Sequence, residues 1–298
     1  MLRAMQVQPL LSSIEFGARV TGVDLGSMDD DTFAEFEAAA NRYAVLVVPD
    51  QIMDDSTQLA FSRRLGPLET TILEDSVAHG FSPEIAHLGN MDASGQCHAA
   101  DSRKVVYDRG NRSWHSDSSF KTVPAKFSIL SARILPGEGG GTEFADSRAG
   151  YDTWTGGKHG IDKEDLVDEI CAHSIIYSRM RNTGDIFNES EKSTLPGSRQ
   201  RLIRRHPGTG RRNFYVGSHA AYIEGWEEER SRELLDELID WCVLPERVYS
   251  HTWTEGDVVL WDNRRVMHRG KEWPEGEYIR VMHRSTVAGD AASIDEPN

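Results

Sequence analysis

The sequence predicts an α+β protein built on a double-sheet β core. Short apolar runs of strand length recur along the 298 residues and are separated by Gly, Pro, Asp and Asn turns. Amphipathic helical segments are few and do not alternate regularly with the strands. A hydrophobic content of 38% supports a large core, and no stretch resembles a linker. We therefore expect one domain over residues 1–298, with helices outside packed sheets.

The first 66 residues predict strands and helices in turn. Asp54 or Asp55 is expected to cap the second of two helices, and Gly66 lies just past its end. In chain order the predicted elements are the strands "MQVQPL" and "ARVTGVDL", a helix at about 29–42, the strand "AVLVVPD" and a helix at about 55–65.

The middle of the chain is less regular. Residues of about 70–112 and 179–200 are polar and weakly periodic, so we expect lid-like insertions there, the first with a short strand at "EIAHLGN". Between and after them the sequence predicts strands at 125–136, 141–146 and "HSIIYS" (173–178), a helical region at about 147–171, a hairpin at "RLIRRHPGTGRRNFYVG", a helix at 226–242 and the strands "VYSHTW", "DVVLWD" and "YIRVMHRSTV".

Charge and composition exclude some classes of function. The formal net charge of −15 argues against binding to nucleic acid or to an anionic membrane. No run is long and apolar enough to span a bilayer. The three cysteines show no CxxC spacing, which favours reduced thiols. We therefore expect a cytoplasmic protein.

The stretch "NRSWHSDSSF" (111–120) carries the first candidate site. It reads as extended chain, in which positions i and i+2 point the same way, so His115 and Asp117 aim an imidazole and a carboxylate at one point. Two imidazoles and one carboxylate suit non-haem Fe(II). Of the eleven histidines, His268 in "WDNRRVMHRG" is the best third ligand, because it follows an apolar strand and turn. Read alone, each residue fits a hydrogen-bonded structural role as well.

Two arginines follow in "YIRVMHRSTV". Arg280 and Arg284 are four residues apart, so on a strand they would face the same side. Guanidinium groups turned into a β core need anions, because an unpaired buried charge is costly. Their partner is either a dicarboxylate cosubstrate or internal acidic side chains.

Together these motifs resemble one family. "WHSDSSF", "GGGTEFADSRAGYD", "HPGTGRRNFYVGSHA", "WDNRRVMHR" and "RVMHRSTV" occur in the order found in Fe(II)/2-oxoglutarate dioxygenases of the TauD/TfdA family. The resemblance spans about residues 7–290 and is closest to the 2,4-dichlorophenoxyacetate/aryloxyalkanoate branch. It implies a double-stranded β-helix (jelly-roll) core with flanking helices. It also implies a homo-oligomer, either a dimer or a tetramer.

The resemblance also implies roles for residues. His115, Asp117 and His268 would form the catalytic Fe(II) centre, and Thr142 and Arg280 would bind the far carboxylate of 2-oxoglutarate. Arg284 would contact the substrate's acidic group or the near carboxylate of 2-oxoglutarate. The candidate substrate-binding residues are Asn111, Ser113, His206, His219 and Arg284. The implied reaction uses O₂ to hydroxylate a C–H bond of a small carboxylic acid while 2-oxoglutarate is decarboxylated to succinate and CO₂.

The sequence departs from the herbicide-degrading branch at two positions. Glu74 and Gln96 stand where basic residues are expected to hold an anionic substrate, so an amino-acid-like or natural-product substrate remains an alternative to an aryloxyalkanoate. A zinc hydrolase would also use His and Asp ligands, but the chain has no HExxH motif. A catalytically silent binding protein would be expected to have lost a ligand.

Overall fold

The computed structural model describes residues 4–70, 82–92, 94–99 and 101–296. Glu74 and part of the predicted insertion at 70–112 lie outside these residues. The helices are α1 (Asp30–Tyr43), α2 (Asp55–Leu65), α3 (Arg103–Arg109), α4 (Ser147–Thr153), α5 (Ile175–Asn182), α6 (Glu189–Thr194) and α7 (Glu228–Cys242). The strands are β1 (Gln6–Pro9), β2 (Ala18–Thr21), β3 (Val45–Val48), β4 (Ile85–Gly89), β5 (Ala125–Ile134), β6 (Thr142–Asp146), β7 (Ile170–His173), β8 (Ser198–Arg201), β9 (Ile203–Arg205), β10 (Arg212–Phe214), β11 (Ala220–Ile223), β12 (Val248–His251), β13 (Val258–Asp262), β14 (Val266–Gly270) and β15 (Val281–Ala288).

Two sheets form the core. The larger has the strand order β1-β2-β3-β13-β5-β15-β4, and the smaller has the order β12-β6-β14. Neighbouring strands are antiparallel except for β2 and β3, which are parallel. Strands that pair are often far apart in sequence, as in the pairing of Val48 with Val258. This arrangement is the expected jelly roll.

Side chains of alternating direction fill the layers on both sides of the large sheet. Val45, Val47 and Trp261 point between the sheets and meet Phe144 of β6, whose ring centroid lies 5.4 Å from that of Trp261. Leu46 and its neighbours on the opposite face pack against α1 and α2. All four residues of β3 are buried because both faces of the sheet are covered. A third apolar cluster joins α4 and α7 to the outer face of the small sheet.

The helices α1, α2 and α7 lie where the sequence predicts them. Asp54 is the N-cap of α2 and accepts a hydrogen bond of 2.7 Å from the backbone N–H of Thr57. Gly66 ends α2, as expected from its position. No helix among the described residues is both long enough and apolar enough to cross a membrane.

The strand predicted at 173–178 is wrong. β7 ends at His173, and α5 begins at Ile175 with Ser174 as its N-cap, which accepts a hydrogen bond of 3.2 Å from the N–H of Tyr177. The two β-branched isoleucines favoured a strand, but the capping serine allows the chain to turn into a helix. The predicted helical region at 147–171 is also corrected, since only α4 and a 3₁₀ turn at Lys163–Leu166 are helical.

The strand predicted at "YIRVMHRSTV" starts later than expected. β15 begins at Val281, and its register with β5 shifts between Val281 and Met282. Arg280 therefore precedes the strand, so the two arginines do not share one strand, but both line the same cavity, as expected of side chains facing one side. The predicted strand at "EIAHLGN" is confirmed as β4, which pairs with β15 at the edge of the large sheet.

Candidate metal centre

A single pair of backbone hydrogen bonds brings two distant histidines together. The N–H of His115 donates to the carbonyl of His268 at 3.0 Å, and the N–H of His268 donates to the carbonyl of His115 at 2.8 Å. Asp117 follows in a turn where Ser118 adopts φ = 54°. The carboxylate of Asp117 lies 3.9 Å from Nε2 of His115 and 3.6 Å from Nε2 of His268. The extended conformation predicted for "NRSWHSDSSF" thus stops at the metal-site residues.

The two imidazoles are prepared to act as ligands. Nδ1 of His115 is 2.8 Å from the carbonyl oxygen of Ser113, which fixes the ring and leaves Nε2 facing Asp117. Burial lowers the pKa of His115 to about 4 and the pKa of His268 well below its usual value. Both rings are therefore neutral near pH 7, the form that binds a metal ion.

Asp117 is held by a buried polar network. Its Oδ2 accepts a hydrogen bond of 2.7 Å from the hydroxyl of Ser128, and Oδ1 accepts one from Arg284. Nδ2 of Asn263 donates to Ser128 at 2.8 Å, and Oδ1 of Asn263 accepts the backbone N–H of Asp117 at 3.1 Å. Burial raises the pKa of Asp117, but Arg284, His268 and His115 outweigh that effect and hold it below its usual range.

The sequence did not point to Ser128 or Asn263. Ser128 lies in an apolar strand, and Asn263 follows Asp262 in what reads as an ordinary turn. The spacing from Asn263 to His268 in "WDNRRVMHR" was the available signal, because a buried amide beside a candidate ligand needs a partner.

Described residues form two cavities beside the metal ligands, and one of these carries the predicted cosubstrate residues. This cavity, which we call the cosubstrate cavity, encloses about 760 Å³ including space open to solvent. His115, His268, Thr142, Arg280 and Arg284 all line it. The hydroxyl oxygen of Thr142 accepts a hydrogen bond of 3.0 Å from the indole of Trp253, which leaves its own proton to donate.

Arg280 is suited to an incoming anion. Its Nε and Nη2 donate to the carbonyl oxygen of Gly140 at 3.2 and 3.1 Å. No carboxylate lies within 4.0 Å of its guanidinium in the described part of the chain. Burial lowers the pKa of Arg280 to about 10, although Asp108 opposes the shift. Of the two partners considered for the arginine pair, Arg284 has an internal carboxylate in Asp117, whereas Arg280 is open to a cosubstrate.

The second cavity, which we call the substrate cavity after the predicted substrate-binding residues that line it, encloses about 780 Å³ including space open to solvent. Five residues line both cavities: Leu88, Asp108, Asn111, His115 and Arg284. His219 and Phe120 form part of its wall, with ring centroids 5.1 Å apart. Its lining includes both acidic and basic side chains, such as Glu69 and Lys121.

The remaining predicted residues occupy different positions. Asn111 and His219 line the substrate cavity, and burial holds the pKa of His219 well below its usual value. Ser113 contributes its backbone carbonyl to His115 rather than a side chain to the cavity. His206 lies outside both cavities, with Nε2 2.8 Å from Asp262 in a fully buried pair. Gln96 is exposed on a turn closed by Asp92.

A second group of metal-binding residue types is less suited to a metal. Asp55, His87 and His283 lie close together at the N-terminal end of α2. Nδ1 of His283 is 2.6 Å from Oδ1 of Asp55, and the guanidinium of Arg133 is 3.0 Å from the same oxygen. The cation already on this carboxylate opposes a divalent ion. His115, Asp117 and His268 are fully buried and have their donor atoms within 4.8 Å of one another.

A jelly roll that holds two buried histidines and one carboxylate at the junction of two cavities defines a class: the mononuclear non-haem Fe(II) oxygenases. The donor set fits Fe(II), since neutral imidazoles and an ionised carboxylate converge on one point.

Comparisons with known proteins give the particular family. Residues 6–286 match the family described as taurine catabolism dioxygenase TauD, TfdA family. An (S)-phenoxypropionate/alpha-ketoglutarate-dioxygenase of Sphingobium herbicidovorans is 37% identical over 304 residues, covering 97% of each chain. An alpha-ketoglutarate-dependent 2,4-dichlorophenoxyacetate dioxygenase of a Burkholderia species is 36% identical over 270 residues, covering 89% of this chain and 88% of the relative. The crystal structure of AAD-2 in complex with Mn(II) and N-oxalylglycine aligns with a TM-score of 0.87 and 36% identity, covering 99% of this chain and 100% of that one.

The chain belongs to the TauD/TfdA family and is a 2-oxoglutarate-dependent dioxygenase. The family, fold and cofactors implied by the sequence motifs are therefore confirmed.

Proposed function

We propose that this enzyme hydroxylates a C–H bond of a small carboxylic acid, with an aryloxyalkanoate as the first candidate. The observation that carries the proposal is the position of His115, Asp117 and His268 at the junction of the two cavities. One cavity offers Arg280 and Thr142 to a dicarboxylate, and the other remains for a second molecule. An enzyme that must hold two organic reactants against one metal requires such an arrangement.

The protein's contribution is to bind and orient. Bound Fe(II) with 2-oxoglutarate and O₂ supplies the oxidising chemistry that the side chains lack. His115, Asp117 and His268 would hold the metal, with Ser128 fixing the carboxylate. Arg280 and Thr142 would bind the far carboxylate of 2-oxoglutarate and so set its direction. No side chain is required to act as a general base.

The relatives and the cavity walls support an aryloxyalkanoate. The relatives compared above carry names that specify phenoxypropionate and 2,4-dichlorophenoxyacetate as substrates. In this chain Phe120, Ile175 and Leu88 offer an apolar wall that suits an aromatic ring. The test is succinate release from 2-oxoglutarate by the Fe(II)-loaded enzyme with a panel of aryloxyacetates and 2-aryloxypropionates. We expect substrate-dependent stimulation, and equal rates with and without every acid would refute the proposal.

A second candidate is a carboxylic acid that also bears an amine or hydroxyl group. Glu69 lines the substrate cavity, and its Oε2 accepts from Lys121 and Ser118, both at 2.6 Å. Its other oxygen, Oε1, is buried without a hydrogen-bond donor among the described residues. A donor on the substrate would satisfy this oxygen. Amino acids and hydroxy acids in the same assay separate this candidate from the first.

We also propose that the enzyme is a homo-oligomer, either a dimer or a tetramer, that acts without nucleic acid or membrane. The net charge of −15 supports the second part, because a negatively charged protein is repelled by nucleic acid and by an anionic membrane surface. Light scattering coupled to size-exclusion chromatography tests the first part, and a monomeric mass would refute it.

A further inference from the structure

Among the residues that the structure describes, one buried arginine has no anionic partner. Six arginines are buried among the described residues: Arg148, Arg179, Arg204, Arg247, Arg264 and Arg265. Five of them have a carboxylate oxygen within 4.0 Å. Arg179, which is 2% exposed, has none in the part of the chain that the structure describes. Because a buried cation without a counter-charge is costly, this guanidinium is suited to bind an anion.

Within the described ranges, the groups that hold the guanidinium of Arg179 are neutral. Nη2 donates to Oδ1 of Asn111 at 2.7 Å, and Cζ lies 4.5 Å from the ring centroid of Tyr107. Nε and Nη1 are buried without an acceptor among the described residues. A cation–π contact and one amide stabilise a guanidinium but do not neutralise it.

The lack of a side chain at Gly110 leaves space for the guanidinium of Arg179. A Cβ atom at Gly110 would lie 2.5 Å from Nη1 and 2.6 Å from Cζ of Arg179, a distance that real side chains do not reach. Glycine at this position therefore leaves room for the guanidinium to lie against the main chain.

Arg179 lines the substrate cavity together with His115 and His219. The rings of these two histidines lie near each other, with centroids 5.6 Å apart, so the cavity that Arg179 lines borders a metal-site histidine. The other arginine of this cavity, Arg284, already donates to the carboxylate of Asp117. Arg284 is thus already paired with a carboxylate, whereas Arg179 is not paired with one among the described residues.

We infer that Arg179 binds the carboxylate of the substrate, with Asn111 holding the guanidinium in place, while Arg284 serves Asp117 and the cosubstrate side. The inference rests on the proposed function and names the specificity-determining residue of the same site. It also accounts for Glu74 and Gln96, because a cation on α5 replaces the basic residues expected near those positions.

The test compares an acid with its uncharged amide. Phenoxyacetate and phenoxyacetamide are titrated by anaerobic calorimetry into enzyme loaded with Fe(II) and 2-oxoglutarate. Loss of one partner of a buried charge pair weakens binding by roughly 100-fold, so Arg179→Gln should raise the Kd for the acid by about that factor. The Kd for the amide and the KM for 2-oxoglutarate should stay within about threefold, since neither uses the charge of Arg179.

Three further variants sharpen the result. Arg179→Lys keeps a cation and should restore part of the preference for the acid. Gly110→Ala keeps Arg179 but displaces its guanidinium, so it should reproduce the loss. Arg181→Gln is the matched control on the same helix, because this exposed arginine pairs with Asp236 at 2.9 Å outside the cavity, and it should behave as the wild type.

Three outcomes would overturn the inference. In the first, Arg179→Gln weakens acid and amide equally, as expected of a purely structural residue. In the second, Arg284→Gln rather than Arg179→Gln abolishes the preference for the acid. In the third, an acid stimulates succinate release by the wild-type enzyme, yet Arg179→Gln leaves the Kd for that acid unchanged. Failure of the proposed function differs from all three, because no acid would then stimulate succinate release by the wild-type enzyme.

Discussion

Asp117 shows how much of a metal ligand's behaviour comes from residues that do not touch the metal. Its two oxygens are divided between Ser128 and Arg284, and Asn263 supports both Ser128 and the backbone of Asp117. The carboxylate is thereby ionised and fixed before metal arrives. A ligand oriented in this way loses less freedom on binding.

We expect Asn263→Ala to weaken Fe(II) binding about 10- to 100-fold, because Ser128 and the turn at Asp117 lose their common partner. A metal titration of the apoprotein measures the effect. Asn188→Ala is the control, since Asn188 is an exposed helix cap far from the ligands in sequence. Unchanged affinity in Asn263→Ala would show that the network does not orient Asp117.

Arg280 gives a second prediction for a single residue. Arg280→Gln should raise the KM for 2-oxoglutarate by about 100-fold, because a charge-assisted pair at a half-buried site is lost. Binding of Fe(II) should be unaffected, since the guanidinium contacts Gly140 and no ligand. Steady-state assays with varied 2-oxoglutarate test this, and an unchanged KM would remove Arg280 from the cosubstrate site.

The residues that the sequence identified and those it missed differ in a physical way. His115, Asp117 and His268 stand in motifs that can be recognised locally, and the resemblance to a known family assigned all three to one metal centre. Arg179 and Ser128 have no such context, because their importance depends on which partners the fold brings near. His206 looked similar to His219 in its motif, yet it is directed to Asp262 rather than to the cavity.

At the scale of elements, a polar side chain joins α2 to the large sheet. Gln58 is fully buried, and its Nε2 donates to the carbonyls of Ile129 and His283, both at 3.0 Å. Its Oε1 accepts from Ser131 at 2.7 Å. The bonds reach carbonyl groups on β5 and β15, the strands that lead to Arg284 and the metal-site network.

Gln58→Leu should therefore lower the free energy of unfolding by about 2–4 kcal/mol, because buried carbonyl and hydroxyl groups lose their partners. Urea unfolding measures the change, with Gln96→Leu at an exposed position as the control. A loss below 0.5 kcal/mol, roughly the range of surface substitutions, would mean that the strands satisfy these groups without Gln58.

Elements were predictable where the local pattern and the tertiary structure agree. α1, α2 and α7 have capping residues and helical periodicity that need no distant partner. The prediction at 173–178 was wrong because two isoleucines fit a strand as well as a helix. Only the capping residue Ser174 distinguishes the helix from the strand. The pairing order of the sheets depends on contacts between distant segments and was not predicted; the residue patterns predicted a double-sheet core, and the family resemblance implied a jelly roll.

At the scale of the whole molecule, buried neutral histidines make stability depend on pH. Burial lowers the pKa of His173 to about 3 and that of His206 to about 4. As the pH falls below about 6.5, the unfolded chain takes up protons that the folded protein does not, so stability is lost between about pH 6.5 and 4. Above that window both states are neutral and the effect vanishes.

We expect metal-free protein to lose roughly 2 kcal/mol of stability per buried histidine on going from pH 7 to pH 5. His173→Gln should therefore show a shallower fall than the wild type by about that amount. Urea unfolding at both pH values measures this. His159→Gln, at an exposed position, is the control and should retain the wild-type slope. Parallel curves for His173→Gln and the wild type would contradict the assigned pKa.

The strand order of the large sheet also determines when its strands can pair during protein synthesis. β3 cannot gain its partner β13 until the ribosome has made residues beyond 257, and β15 enters between β5 and β4 later still. The nascent chain must therefore hold apolar strands and two metal ligands, His115 and Asp117, without their late partners for most of translation. Chaperone dependence and iron loading are thus expected to concentrate at the end of synthesis, when His268 and Arg284 emerge together.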